Sequence, residues 1–194
     1  MNNQGLFVKE TAPKGVYIYT ESGNLLLPKF WGLYENTEKP VAAAIIADRN
    51  LLVALEGSET SLVLLDWEKE LKSAKFESFE DALKDDKGEE ATTQLAEMGS
   101  PAALFCTNYQ CGQIEASKWY LPTLADFQLM HDNKKVLDIA LSICGGNAIE
   151  VYDYHWTSTR RYDKSHFILY WGDGYRSYTY QYYDNRVRPV SAFL

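Results

Sequence analysis

The sequence predicts an α+β domain, and three observations carry that expectation. Two apolar runs, VAAAIIA (41–47) and LLVAL (51–55), have the length of buried strands and flank a polar turn. Between residues 71 and 146 the apolar positions recur at helical intervals. Beyond residue 150 the period shortens to two, with aromatic residues dominating and glycines punctuating. Strands, then helices, then a β meander is the order of an α+β fold. The chain's 194 residues and 46% hydrophobic content suffice to bury a core.

Residues 1–14 read as a polar N-terminal arm and 15–194 as a single domain. Val16–Thr20 is a strand, and Ser22–Asn24 turns around Gly23. Pro40–Leu55 is a hairpin turning at Asp48-Arg49-Asn50, and Ser61–Trp67 extends the sheet. Leu71–Leu83 reads as a helix, apolar at 71, 74, 76, 79, 82 and 83 and ended by DDKGEE. Ala91–Met98 is a second helix, closed by Gly99 with Pro101 beyond, and Ala102–Tyr109 is a third. Thr123 caps the next one, with Asp126 three residues on, as in a capping box. Leu124, Phe127, Leu129 and Met130 form its buried face. Asp132-Asn133 restarts a helix that buries Val136, Ile139, Ala140 and Ile143, and Gly145-Gly146 ends it with a left-handed cap. His155–Thr159 is a strand. Ser165–Trp171 alternates Phe167, Leu169 and Trp171 against His166, Ile168 and Tyr170. Gly172-Asp173-Gly174 turns the chain into Tyr175–Tyr180, and Arg186–Val190 is the last strand.

The net charge of −8 is unevenly spread. Residues 68–90 hold nine acids against five lysines, while 151–194 hold six bases against four acids. An acidic chain without a basic face excludes a nucleic-acid partner. No apolar run approaches the ~20 residues of a transmembrane helix. The start, MNNQGLFVKETAPKG, lacks the apolar region of a signal peptide, so localisation stays open and a leader could have been removed. Three cysteines, at 106, 111 and 144, are an odd number without zinc spacing and read as small buried hydrophobes.

Nine of the fourteen tyrosines lie between Tyr152 and Tyr183, interleaved with Arg, Asp, Ser, Thr and His. Tyrosine supplies stiff contact area at low entropic cost, and the small polar residues supply adaptable hydrogen bonds, so this is the composition of a binding surface. A tyrosine-rich sheet is the bland alternative.

Five motifs occur in order: WYLPT (119–123), a helix pair ending in GG (145–146), HWTST (155–159), YWGDG (170–174) and RVRPV (186–190). Together they resemble a large bacterial and phage family with the C-type lectin fold, patterned W-x-L-P, Y-W-S-S-T, W-x-D-G, R-V-R-P-V. That family includes the variable proteins of diversity-generating retroelements, found on phage tail tips and bacterial surfaces, and many uncharacterised Bacteroides-type gut-bacterial domains. The first hundred residues match loosely, through GVYIY, KPVAAAII, LLVALE and GSPAALFC. The resemblance implies a C-type lectin-like domain with mixed or antiparallel sheets, two to four helices and a C-terminal β meander. It places the ligand surface at about 150–190 and favours a cell-surface or virion setting. It implies a non-enzymatic domain whose partner is a surface protein or glycan of another cell or virus; the alternative is an adhesin-tip or structural subunit of a surface fibre or phage tail, and a homo-oligomer is left open. The diversified residue types of such proteins fall here on Tyr162, Asp163, Ser165, Ile168, Tyr170, Gly172, Tyr175, Ser177, Tyr178, Thr179, Tyr180, Tyr182, Tyr183 and Asp184. Arg160 and Arg161 join them as candidate contacts, while Trp156, Phe167, Leu169, Trp171 and Val187 anchor the scaffold. The E-P-N, Q-P-D and W-N-D signatures of calcium-dependent sugar binding are absent, so no cofactor is expected. Formylglycine-generating enzymes share the fold and carry a C-terminal cysteine pair; here the last cysteine is Cys144.

Other chemistry is sparse. His131, His155 and His166 are too scattered for a metal site, and His155 reads as a packed side chain. Ser165 and His166 are strand neighbours that point to opposite faces, so with Asp163 they make no triad. Asp66, Asp81, Asp85 and Asp86 lack calcium-loop spacing, and Gly172 and Gly174 precede a strand rather than a helix. Arg186 and Arg188 share a face, either as an anion contact or, the favoured reading, as a structural pair.

Overall fold

In the computed structural model, which describes residues 4–114 and 118–193, the apolar runs of the N-terminal half build the main sheet. Strand β1 is Leu6–Phe7, β2 Gly15–Thr20, β3 Leu25–Leu26, β4 Pro40–Ile46 and β5 Leu51–Ala54. They pair antiparallel with β7 (Trp119–Tyr120) and β12 (Val190–Ala192) in the order β1-β3-β2-β4-β5-β12-β7. One face of this sheet sends Val16, Ile18, Ala43, Ile45, Leu51 and Val53 into the largest core cluster. The other packs Tyr17, Ala42, Ala44 and Leu52 with Trp119. Burial on both faces is why these strands read as continuous apolar runs rather than alternating ones. Within the stretch read as a polar arm, Leu6–Phe7 adds the edge strand β1.

Five α-helices stand among the described residues, more than the two to four expected: α1 (Phe79–Ala82), α2 (Gly88–Glu97), α3 (Pro101–Asn108), α4 (Leu124–Asp132) and α5 (Lys134–Ile143). The predicted helix over 71–83 shrinks to the single turn of α1. Its first half is drawn alongside the C-terminal sheet, where Phe76 N donates to Arg160 O and Lys75 bridges Arg160 in parallel. Helix α4 starts in a full capping box: Thr123 Oγ1 accepts from Asp126 N at 3.1 Å, and Asp126 accepts from Thr123 N at 2.9 Å. Its buried face is Leu124, Phe127 and Met130, with Leu129 half-buried. In α5 the buried stripe is Leu137, Ala140 and Leu141, whereas Val136 and Ile139 are exposed. The two stripes share Ala140 and both recur at helical spacing, so spacing alone chose the wrong one.

The C-terminal region forms a three-stranded antiparallel sheet of β8 (Tyr154–Tyr162), β9 (Ser165–Tyr170) and β10 (Arg176–Tyr180), with β9 central. Trp156, Phe167 and Trp171 from this region, and Trp119 from β7, are fully buried, as their anchoring role requires. Segment Ser61–Trp67 does not extend the main sheet; its β6 (Leu62–Val63) pairs with β11 (Asp184–Asn185) in a separate two-stranded unit. The last strand lies further on than Arg186–Val190, because Arg186 and Arg188 serve as fasteners. Arg188 is buried and donates to the carbonyls of Ala54, Leu55, Asn147 and Ala148 at 2.9–3.1 Å. Arg186 holds Asp153 at 2.8 Å and the carbonyl of Ser58 at 3.3 Å. The pair is structural.

Candidate functional site

Strand register assembles the site. Ser165 faces Tyr162 across β8–β9 and Tyr180 across β9–β10, so a Tyr–Ser–Tyr row crosses the end of the sheet. Paired residues project to one side, and Tyr178, two positions from Tyr180, shares it. The rings of Tyr162 and Tyr178 meet edge to face at 6.3 Å. Arg161 holds them: its guanidinium lies 3.5 Å over Tyr178 and 4.9 Å over Tyr162, and its Nη2 donates to the Tyr162 hydroxyl at 3.3 Å.

A second aromatic group follows β10. Tyr180 and Tyr182 stack at 5.5 Å with 9° between their planes, and Tyr183 lies 4.7 Å from Tyr182. Trp67 packs on Tyr182 at 5.6 Å, and Lys164 Nζ stands 4.0 Å over Trp67. The turn owes its shape to Gln181, which is fully buried and donates to the carbonyls of Asp66 and Lys69, both at 2.7 Å. Its own carbonyl accepts from Leu64 N and Leu65 N. Pinning Gln181 inward turns Tyr180, Tyr182 and Tyr183 outward. Desolvation and the hydrogen bond to Tyr183 raise the Tyr182 hydroxyl above the ordinary phenol value, so it stays protonated.

Of the residues the sequence singled out, Tyr162, Tyr178, Tyr180, Tyr182 and Tyr183 come together and are exposed. Asp163 lies at their border, exposed and ion-paired with Lys75 and Arg160. Arg161 and Ser177 are half-buried, and Asp184 is exposed on β11. Tyr175 is exposed at the turn before β10, and Tyr170 packs on Tyr154 at 5.3 Å, so both stand apart from the cluster. Three candidates are interior: Arg160, Ser165 and Ile168 are only 3%, 4% and 5% exposed. For Ser165 and Ile168 the cause is the central position of β9, which is covered on both faces; Arg160 lies on β8 and is buried by its own contacts. Ile168 joins Trp156 and Val187 in a core cluster. Arg160 fastens the sheet to Glu70 at 2.7 Å and to the carbonyl of Ser73 at 3.2 Å. Ser165 is different, because its hydroxyl has no hydrogen-bond partner and lines the groove between the tyrosines.

Trp67, Lys164 and Gln181 escaped sequence reasoning. An exposed tryptophan inside the charged run DWEKE was the one available signal for Trp67. Nothing local marked Gln181, whose partners lie more than a hundred residues away. His155 is buried beside Phe127, with ring centroids 5.3 Å apart, as a packed side chain. Among the described residues no group of three His, Cys, Asp or Glu side chains is arranged to hold a metal ion, and no helix is long and apolar enough to cross a membrane.

No protein-family model matches the sequence, and no curated protein matches it. Among solved structures the chain is similar to a fimbrial protein from Bacteroides ovatus, with a TM-score of 0.56 and 13% identity. The alignment covers 94% of this chain and 49% of the other, so this chain spans about half the length of that protein. At this identity the likeness concerns the fold.

Proposed function

We propose that this chain is a non-enzymatic ligand-recognition domain, C-type lectin-like in fold, that binds a protein or glycan of another cell or virus through its tyrosine face. The observation that carries the reading is the outward clustering of Tyr162, Tyr178, Tyr180, Tyr182 and Tyr183 on a rigid sheet end. Clustered exposed aromatics serve as hot spots more readily than as scaffold. A bacterial surface or phage setting follows from the motif resemblance, and the fimbrial name of the structural neighbour supports the surface half of it. Membership among retroelement-diversified proteins is part of the same proposal; a reverse transcriptase gene and a near-copy of the 3′ end beside this gene are expected if it holds.

The same neighbour favours a second reading, a structural subunit of a surface fibre whose tyrosine face packs against the next subunit. Size-exclusion chromatography over a concentration series separates the two. A monomer that captures spots on a glycan and surface-protein array supports recognition. A stable oligomer that dissociates on Tyr180→Ala supports the subunit and removes the recognition reading.

A further inference from the structure

We propose that the groove at the Tyr–Ser–Tyr row is a slot for one neutral sugar ring of a glycan, bound without a metal ion. The inference rests on the recognition reading above and narrows its ligand class. The groove has a volume of about 460 Å³ and is lined by Tyr162, Ser165, Tyr178, Thr179, Tyr180 and Tyr183. That volume lies in the range of small-molecule sites. It exists because the short Ser165 side chain sits between two tyrosines in register, leaving a gap where a larger residue would fill the row.

The lining is chemically uniform. All six side chains carry a hydroxyl and none carries a charge. Hydroxyls both donate and accept, as sugar hydroxyls do, and the tyrosine rings offer apolar faces for the C–H side of a pyranose. At the floor, Ser165 Oγ is buried without a hydrogen-bond partner. A buried hydroxyl left unsatisfied is costly, so turning this short side chain toward the groove gives it a ligand hydroxyl as partner.

The uncharged lining is what argues for a neutral ring over an acidic one. The cations at its border face aromatic rings, Arg161 over Tyr162 and Tyr178 and Lys164 over Trp67, while Asp163 pairs with Lys75 and Arg160. The sugar is held by stacking and hydroxyl exchange, with Ser165 setting its orientation.

Saturation-transfer NMR with the methyl glycosides of glucose, galactose, mannose and N-acetylglucosamine, in EDTA, tests this. At least one glycoside should receive saturation from tyrosine protons. Tyr180→Ala should weaken it tenfold or more. Ser165→Ala removes one hydrogen bond and should weaken it about fivefold. Tyr152→Ala, exposed but outside the groove lining, should leave it unchanged. No response from any glycoside overturns the proposal, as does a response that survives both Tyr180→Ala and Ser165→Ala. If array capture of a protein is lost in Tyr180→Ala while no glycoside binds, the sugar slot falls and the recognition face stands. If neither glycoside nor array responds, both fall.

Discussion

Two buried histidines give this protein a pH dependence that can be signed in advance. Burial, reinforced by the charge of Arg188, pushes His155 from an ordinary value of 6.5 down to about 3. Burial and then Arg160 push His166 down to about 3. Folded, both rings stay neutral, while the unfolded chain charges them below pH 6.5. Unfolding therefore takes up protons between pH 6.5 and 3. Their contribution is intact above that window and is lost as pH falls through it, at about 1.4 kcal/mol per pH unit for each ring. Asp126 works in the opposite sense. Burial raises its carboxyl despite the Arg49 Nε contact at 3.0 Å, so its retained proton favours the fold as pH drops. Urea titrations at pH 7 and pH 5.5 should show the histidine loss, and His166→Gln should roughly halve the slope whatever it does to absolute stability. A slope unchanged by that substitution would show His166 to be charged in the fold.

At the scale of elements, the turn between β9 and β10 sets the register that makes the groove. Gly174 there has φ +78°, and a Cβ would stand 2.6 Å from the His131 ring. Gly174→Ala meets both the left-handed penalty and that contact, and should destabilise by about 1–3 kcal/mol in chemical denaturation. Gly23→Ala is a useful comparison, because its φ is +81° with open space around it, so it carries the backbone cost alone. This turn was legible from Gly172-Asp173-Gly174, as were β4 and β5 from their apolar runs and α4 from Thr123 and Asp126, because each is written in neighbouring residues. The helix over 71–83 was misread because its competitor, pairing of Lys75 and Phe76 with Arg160, lies 84–85 residues away in sequence. Helix α5 was placed correctly but rotated, since two apolar stripes fit its sequence equally well. Ser165, Ile168 and Arg160 looked like surface because their polar or diversifiable character is local. The burial of Ser165 and Ile168 is a property of β9 lying between two covered faces, and that of Arg160, on β8, comes with its contacts to Glu70 and Ser73.

The whole molecule divides into a scaffold and a face. The scaffold holds Trp119, Trp156, Phe167 and Trp171 at no more than 1% exposure, with Trp156 Nε1 donating to Leu62 O at 2.7 Å. The face leaves Tyr162, Tyr178 and Tyr180 at 50%, 45% and 52%. No metal-holding group of three side chains exists among the described residues, so EDTA should leave the melting temperature unchanged; a reproducible fall would contradict this. The tyrosine face was legible as composition in the last forty residues, whereas its shape, pinned by Gln181 and bordered by Trp67, required the fold. The most direct measurement compares thermal melts and array binding of the wild type, Trp156→Ala and the double variant Tyr178→Ala/Tyr180→Ala. Trp156→Ala should cost ~3–5 kcal/mol. The double variant should melt within about 2 °C of wild type and lose binding at least tenfold. A double variant that unfolds with Trp156→Ala, or that melts normally and still binds at full strength, would contradict the separation of face from scaffold.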